Sequence, residues 1–189
     1  MIGYLHCYRN SRPGVDWNTC GQAAIATISD YWGRNPYGLP RNTQDGMNGL
    51  YYWNDGQAID AVKNGGFGAD VVFGWGTTGG RIRDALRSYG LPAQVGYSGW
   101  FSWGWDGLWN SLQTYLAYNH PVPVMVDLGA LNGPSFGVHW AIAYKYTGGR
   151  VYLGNMGVSW NATPTANQFL AAWHCWFLPY GFNHCGVYV

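Results

Sequence analysis

The chain has 189 residues, a formal net charge of +1 and 18% aromatic residues. That length suits one domain with a real core over residues 1–189, and no linker, charge run or long repeat divides it. Basic residues are few and scattered, which argues against a nucleic-acid partner, and glutamate is absent, which excludes glutamate-based glycosidases and His-Glu-x-x-His zinc peptidases.

Residues 4–9 read as a short strand, and residues 10–17, with Pro13 and Gly14, as a loop. Asn18 or Thr19 supplies an N-cap for a helix that ends near Gly33, with Ala24, Ile28 and Tyr31 on its buried face. An irregular stretch through Pro36, Gly38 and Pro40 follows. Asp55 caps a second helix that buries Ile59 and Val62 and stops at Gly65-Gly66. A third runs from about Arg81 to Tyr89, turns Ile82, Leu86 and Tyr89 to one side, and ends at Gly90. Leu108, Leu112, Tyr115 and Leu116 predict a fourth helix that starts at Asp106. The apolar run 121–128 suits a central strand. Residues 138–146 and 150–154 flank Thr147-Gly148-Gly149, a hairpin turn. Residues 167–173 read as a short helix and 184–189 as a closing strand. The expected class is α+β, with helices first and a mostly antiparallel sheet second.

No apolar run approaches membrane-spanning length. The first residues lack the basic and apolar regions of a signal peptide. Few charges and cysteines near the C-terminus favour an extracellular protein whose leader has been removed; a cytoplasmic protein is the alternative. The 12 tryptophans, 15 tyrosines and 29 glycines point to stabilisation by aromatic packing and turns.

The chemistry starts at Cys20, in the first turn of the first helix. Free N–H groups and the helix dipole favour a thiolate there. Taken alone, such a cysteine also packs well as a small hydrophobe. Gly21, without a side chain, would let a substrate backbone approach the thiol. His139 lies at the start of the Val138-His139-Trp140 strand, and Asn155 follows the hairpin. The chain order Cys, His, Asn provides a nucleophile, its base and an orienting amide.

These residues also carry a resemblance. The chain is similar to the bacteriocin-leader-processing peptidases and their broader relatives in the papain-like superfamily, over nearly its whole length. That group's Cys-Gly-x-Ala…Tyr-Tyr-Gly helix is matched by Cys20, Gly21, Ala23, Tyr31, Trp32 and Gly33. Its middle pattern falls on Leu86, on Tyr89-Gly90-Leu91-Pro92 and on Pro121-Val122-Pro123-Val124, its His strand on His139, and its later Phe-x-x-x-Trp on Phe169 and Trp173. The resemblance implies a cysteine peptidase of papain-like fold acting through a thioester acyl-enzyme, with Cys20, His139 and Asn155 as the triad. Asn155 stands where the family has Asp, as in the papain branch. No glutamine precedes Cys20, so the family's oxyanion donor falls to Asn10 by position or to Asn18 by proximity. A cell-wall amidase acting on peptidoglycan stem peptides would use the same nucleophile. A catalytically dead, aromatic-rich binding module for peptide or glycan is the non-enzymatic alternative.

The segment 97–105 interleaves glycines with large rings, and suggests either core packing or a flap over a cleft. Trp100, Trp103 and Trp140 are the candidate substrate-binding side chains, and with few acidic groups the expected peptides carry small or apolar residues near the cut bond. His6-Cys7, His174-Cys175 and His184-Cys185 are paired in sequence. Convergence on zinc is one reading, a Cys175–Cys185 disulfide another, and reduced packed thiols a third. The adopted expectation is a monomer with no cofactor and no metal, acting on a peptide or protein.

Overall fold

The structure, a computed structural model, describes residue 5 and residues 18–34, 50–70, 76–98, 105–131, 137–154, 162–175 and 183–189. The expected strand at 4–9 and loop at 10–17 fall outside these, apart from Leu5. Among the described residues are five α-helices and one five-stranded sheet. The helices are α1 (Cys20–Tyr31), α2 (Leu50–Val62), α3 (Gly79–Ser88), α4 (Trp105–Ala117) and α5 (Ala166–Trp173). The strands are β1 (Gln94–Gly96), β2 (Val122–Asp127), β3 (Val138–Thr147), β4 (Arg150–Gly154) and β5 (Gly186–Tyr188). The sheet order is β1-β5-β2-β3-β4, with every pair antiparallel. No helix is long and apolar enough to cross a membrane, among the described residues.

Strand alternation divides the core in two. Met125, Trp140, Ile142 and Val187 pack with Ala23, Ala24, Ile28, Ile59, Ile82 and Leu86 of the first three helices. Val122, Val124, Val126, Ala141 and Ala143 pack instead with Leu112 and Leu116 of α4 and Phe169 and Trp173 of α5. The continuous apolar run at 121–128 follows from this: β2 is the middle strand and has helices on both sides. Each fully buried Ile, Leu or Val contributes roughly 1.5–3 kcal/mol.

Helix α1 is the hub. Every residue from Gly21 to Asp30 is buried, as a helix enclosed on all sides requires. The chain leaves it through Gly33, whose φ of +70° suits glycine. The β3–β4 turn has φ of +57° at Gly148 and +70° at Gly149, the pair of left-handed residues that a tight hairpin needs.

Several boundaries differ from expectation. Asp55 lies inside α2 rather than at its cap. Helix α3 begins at Gly79, two residues before Arg81, because capping offsets the poor propensity of Gly79-Gly80. The Thr78 hydroxyl accepts the Arg81 N–H at 3.1 Å and donates to Asp70, which also accepts the Thr78 N–H at 2.7 Å. Strand β1 was not anticipated. The C-terminal strand is not an edge: β5 inserts between β1 and β2.

Candidate active site

Cys20 is the first residue of α1 and is partly exposed. Thr19 occupies the N-cap with φ −104° and ψ 11°, and its side chain does not cap the helix. In the first turn the Gly21 N–H hydrogen-bonds the Cys20 sulfur.

The second wall of the site is the start of β3. His139 is 6% exposed, and its ring hydrogen-bonds the Cys20 side chain. The backbone N–H of Trp140, one residue on, also reaches the sulfur. Burial pushes the thiol up, but the His139 hydrogen bond and charge, with the Trp140 and Gly21 N–H groups, outweigh it. The net effect holds Cys20 below its ordinary value. The arrangement is a thiol on a partly exposed residue beside a shielded imidazole, equipped to form a thiolate and to move a proton.

The structure thus brings together Cys20 and His139, which are 119 positions apart in a chain of 189 residues. Asn18 is exposed, two residues ahead of the thiol. Asn155 directly follows Gly154, the last residue of β4, and lies outside the described residues, as do Asn10, Trp100 and Trp103.

Two expectations about the site are corrected. Trp140 does not offer its ring to a substrate: it is 1% exposed, packed in the core beneath α1, with its indole N–H on the Thr77 carbonyl at 2.7 Å. Gly21 does not leave space for a substrate backbone on its Cα side. A Cβ there would lie 2.5 Å from the Cβ of Thr77, so Thr77 already occupies that space.

Gln22 and Thr77 were missed by sequence reasoning. Gln22 is fully buried, and its amide nitrogen donates to the Phe67 carbonyl and to the Thr77 hydroxyl, both at 3.0 Å. Those two bonds commit both of its N–H groups, so it holds the fold together and is not an oxyanion donor. A polar side chain on a wholly buried helix was the available signal.

Cys175 and Cys185 are not part of this site. Both are buried free thiols, as in the third of the three readings above. The Cys175 sulfur turns to the carbonyls of Ala172 and Met125, while Gly79 packs against the sulfur of Cys185. The His174 and His184 rings stack at 5.0 Å, and His184 Nδ1 is hydrogen-bonded to the Ser98 hydroxyl at 2.7 Å. Among the described residues, no three His, Cys or Asp side chains are placed to hold a metal ion. Cys7 lies outside the described residues.

No protein-family model matches the chain, and a search of curated proteins finds no relative.

Proposed function

We propose that this chain is a papain-like cysteine peptidase. The observation that carries the reading is the Cys20 thiol at the head of α1, hydrogen-bonded to His139 and held below its ordinary value. A structural cysteine needs neither an imidazole partner nor access to solvent.

In the proposed reaction the Cys20 thiolate attacks a peptide carbonyl carbon. The tetrahedral oxyanion is held by N–H groups at the head of α1, with Asn18 or Asn10 as the side-chain donor. The C–N bond breaks as the His139 imidazolium gives its proton to the leaving amine, and a thioester remains on Cys20. His139 then takes a proton from water, the hydroxide attacks the thioester, and the acid product leaves as the thiolate returns. Asn155 orients the imidazole in this scheme. With no glutamate and few aspartates to select a basic side chain, the expected peptides carry small or apolar residues beside the cut bond.

The test is a peptide library and a set of peptidoglycan stem peptides, offered to the wild type and to Cys20→Ala. Cleavage by the wild type alone, with the variant's melting temperature nearly unchanged, is the expected result. Undiminished turnover by Cys20→Ala, or no cleavage of any peptide, overturns the proposal. Cleavage confined to the stem peptides would transfer the same mechanism to a cell-wall amidase.

A further inference from the structure

Cys20 and His139 come from distant parts of the chain, and each is followed by a residue that touches Thr77. Gly21 packs against the Thr77 side chain so closely that an added Cβ would fall 2.5 Å from Cβ, 2.7 Å from Oγ1 and 2.9 Å from Cγ2. Trp140 donates its indole N–H to the Thr77 carbonyl at 2.7 Å. Gln22, one residue beyond Gly21, donates to the Thr77 hydroxyl at 3.0 Å. Thr77 is itself 2% exposed. Its successor Thr78 caps α3 and is clamped by Asp70.

The residue between those partners is therefore a buried strut. One end grips the first turn of α1 through packing and a hydroxyl. The other grips the start of β3 through a carbonyl. Both ends are anchored to rigid elements, which a positioned pair requires.

We infer that Thr77 is a positioning residue, which fixes the distance and orientation between the Cys20 thiol and the His139 ring. The inference rests on the reading of that pair as nucleophile and base. Thr77 acts through Gly21, Gln22 and Trp140 and touches no reacting atom. Loss of its side chain frees the Gln22 amide and leaves a gap beneath Gly21, so the first turn can shift against β3. Misplacement of reacting groups by about 1 Å costs up to roughly 100-fold in rate without weakening substrate binding.

The experiment measures the rate of Cys20 alkylation by iodoacetamide against pH, located by peptide mass mapping. It compares the wild type with Thr77→Ala, Thr77→Ser and Trp140→Phe, each checked for folding by circular dichroism. Thr77→Ala is expected to move the midpoint up, towards that of an ordinary cysteine. It should lower kcat roughly 10- to 100-fold with little change in KM. Thr77→Ser retains the hydroxyl for Gln22 and should restore the wild-type midpoint. A folded Thr77→Ala with an unchanged midpoint overturns the inference. If Thr77→Ala does not fold, Trp140→Phe decides, because it removes the donor to the Thr77 carbonyl and keeps an aromatic ring in the core: in the folded variant a raised midpoint supports the strut and an unchanged one refutes it. A wild-type midpoint no lower than that of a free cysteine peptide fails differently. It removes the nucleophile–base reading, and the strut's role falls with it.

Discussion

Replacing Gly21 by alanine should destabilise the protein, although glycine-to-alanine changes inside helices ordinarily stabilise. The new Cβ would meet Thr77 Cβ at 2.5 Å, where carbon atoms normally rest about 3.5–4.0 Å apart. A separation of roughly 1 Å or more must therefore open between two anchored segments. Thr77 cannot swing aside freely, because its carbonyl and hydroxyl are held at 2.7 and 3.0 Å by Trp140 and Gln22. Overpacking of this kind costs about 1–3 kcal/mol, against a gain of at most about 1 kcal/mol from helix propensity. The net loss is up to about 2 kcal/mol, or up to roughly 8 °C in melting temperature for a chain of this size. Thermal unfolding followed by circular dichroism measures it. The cause is checked in a second background. Thr77→Gly removes all three crowding atoms, so there Gly21→Ala should be neutral or stabilising, with a coupling of about 1 kcal/mol or more. An alanine at position 21 that raises the melting temperature in the wild-type background would refute the packing argument. It would return Gly21 to the role of admitting a substrate.

Two further outcomes follow from groups outside the site. Burial, then the neighbouring His174, holds His184 down to about 4 from an ordinary 6.5. Between those values the unfolded chain binds the extra proton, so stability should fall as pH drops from 6.5 towards 4. The melting temperature of His184→Asn should fall less over that window than that of the wild type; an equal fall would refute the assignment. Burial also raises the Cys175 and Cys185 thiols to about 12, helped by Asp127 for the first and by Cys175 for the second. A disulfide reagent at pH 8 should therefore leave both unmodified in the folded protein and label both after unfolding without reductant; rapid native labelling of either, or a missing thiol, contradicts this.

What the sequence made legible was what local pattern encodes. The α1 helix could be placed from its spacing, and the β3–β4 hairpin from Thr147-Gly148-Gly149, since both depend on neighbours in the chain. Strand β1 could not, because three residues are too few to set a period. The insertion of β5 between β1 and β2 is a long-range pairing, invisible to any local window. The beginning of α3 was misplaced because Gly79-Gly80 reads as a turn. Only the Asp70–Thr78 clamp makes it a helix start. At the site, Cys20 and His139 were legible from residue type and chain order. Thr77 was not, since a threonine before Thr78-Gly79-Gly80 carries no chemistry by itself. Its importance arises only where α1, α3 and β3 meet.

By hydrogen bond and charge His139 lowers the pKa of the Cys20 thiol, which on the proposed reading prepares it as a nucleophile. The most direct measurement is the pH dependence of Cys20 alkylation in the wild type and in His139→Ala, with the modified cysteine located by mass mapping. The wild-type midpoint should lie below that of a free cysteine. In His139→Ala it should rise, because burial then acts against the thiolate with only the Trp140 and Gly21 N–H groups to oppose it. Identical midpoints in the two proteins, at or above the ordinary cysteine value, would contradict the pairing of Cys20 with His139.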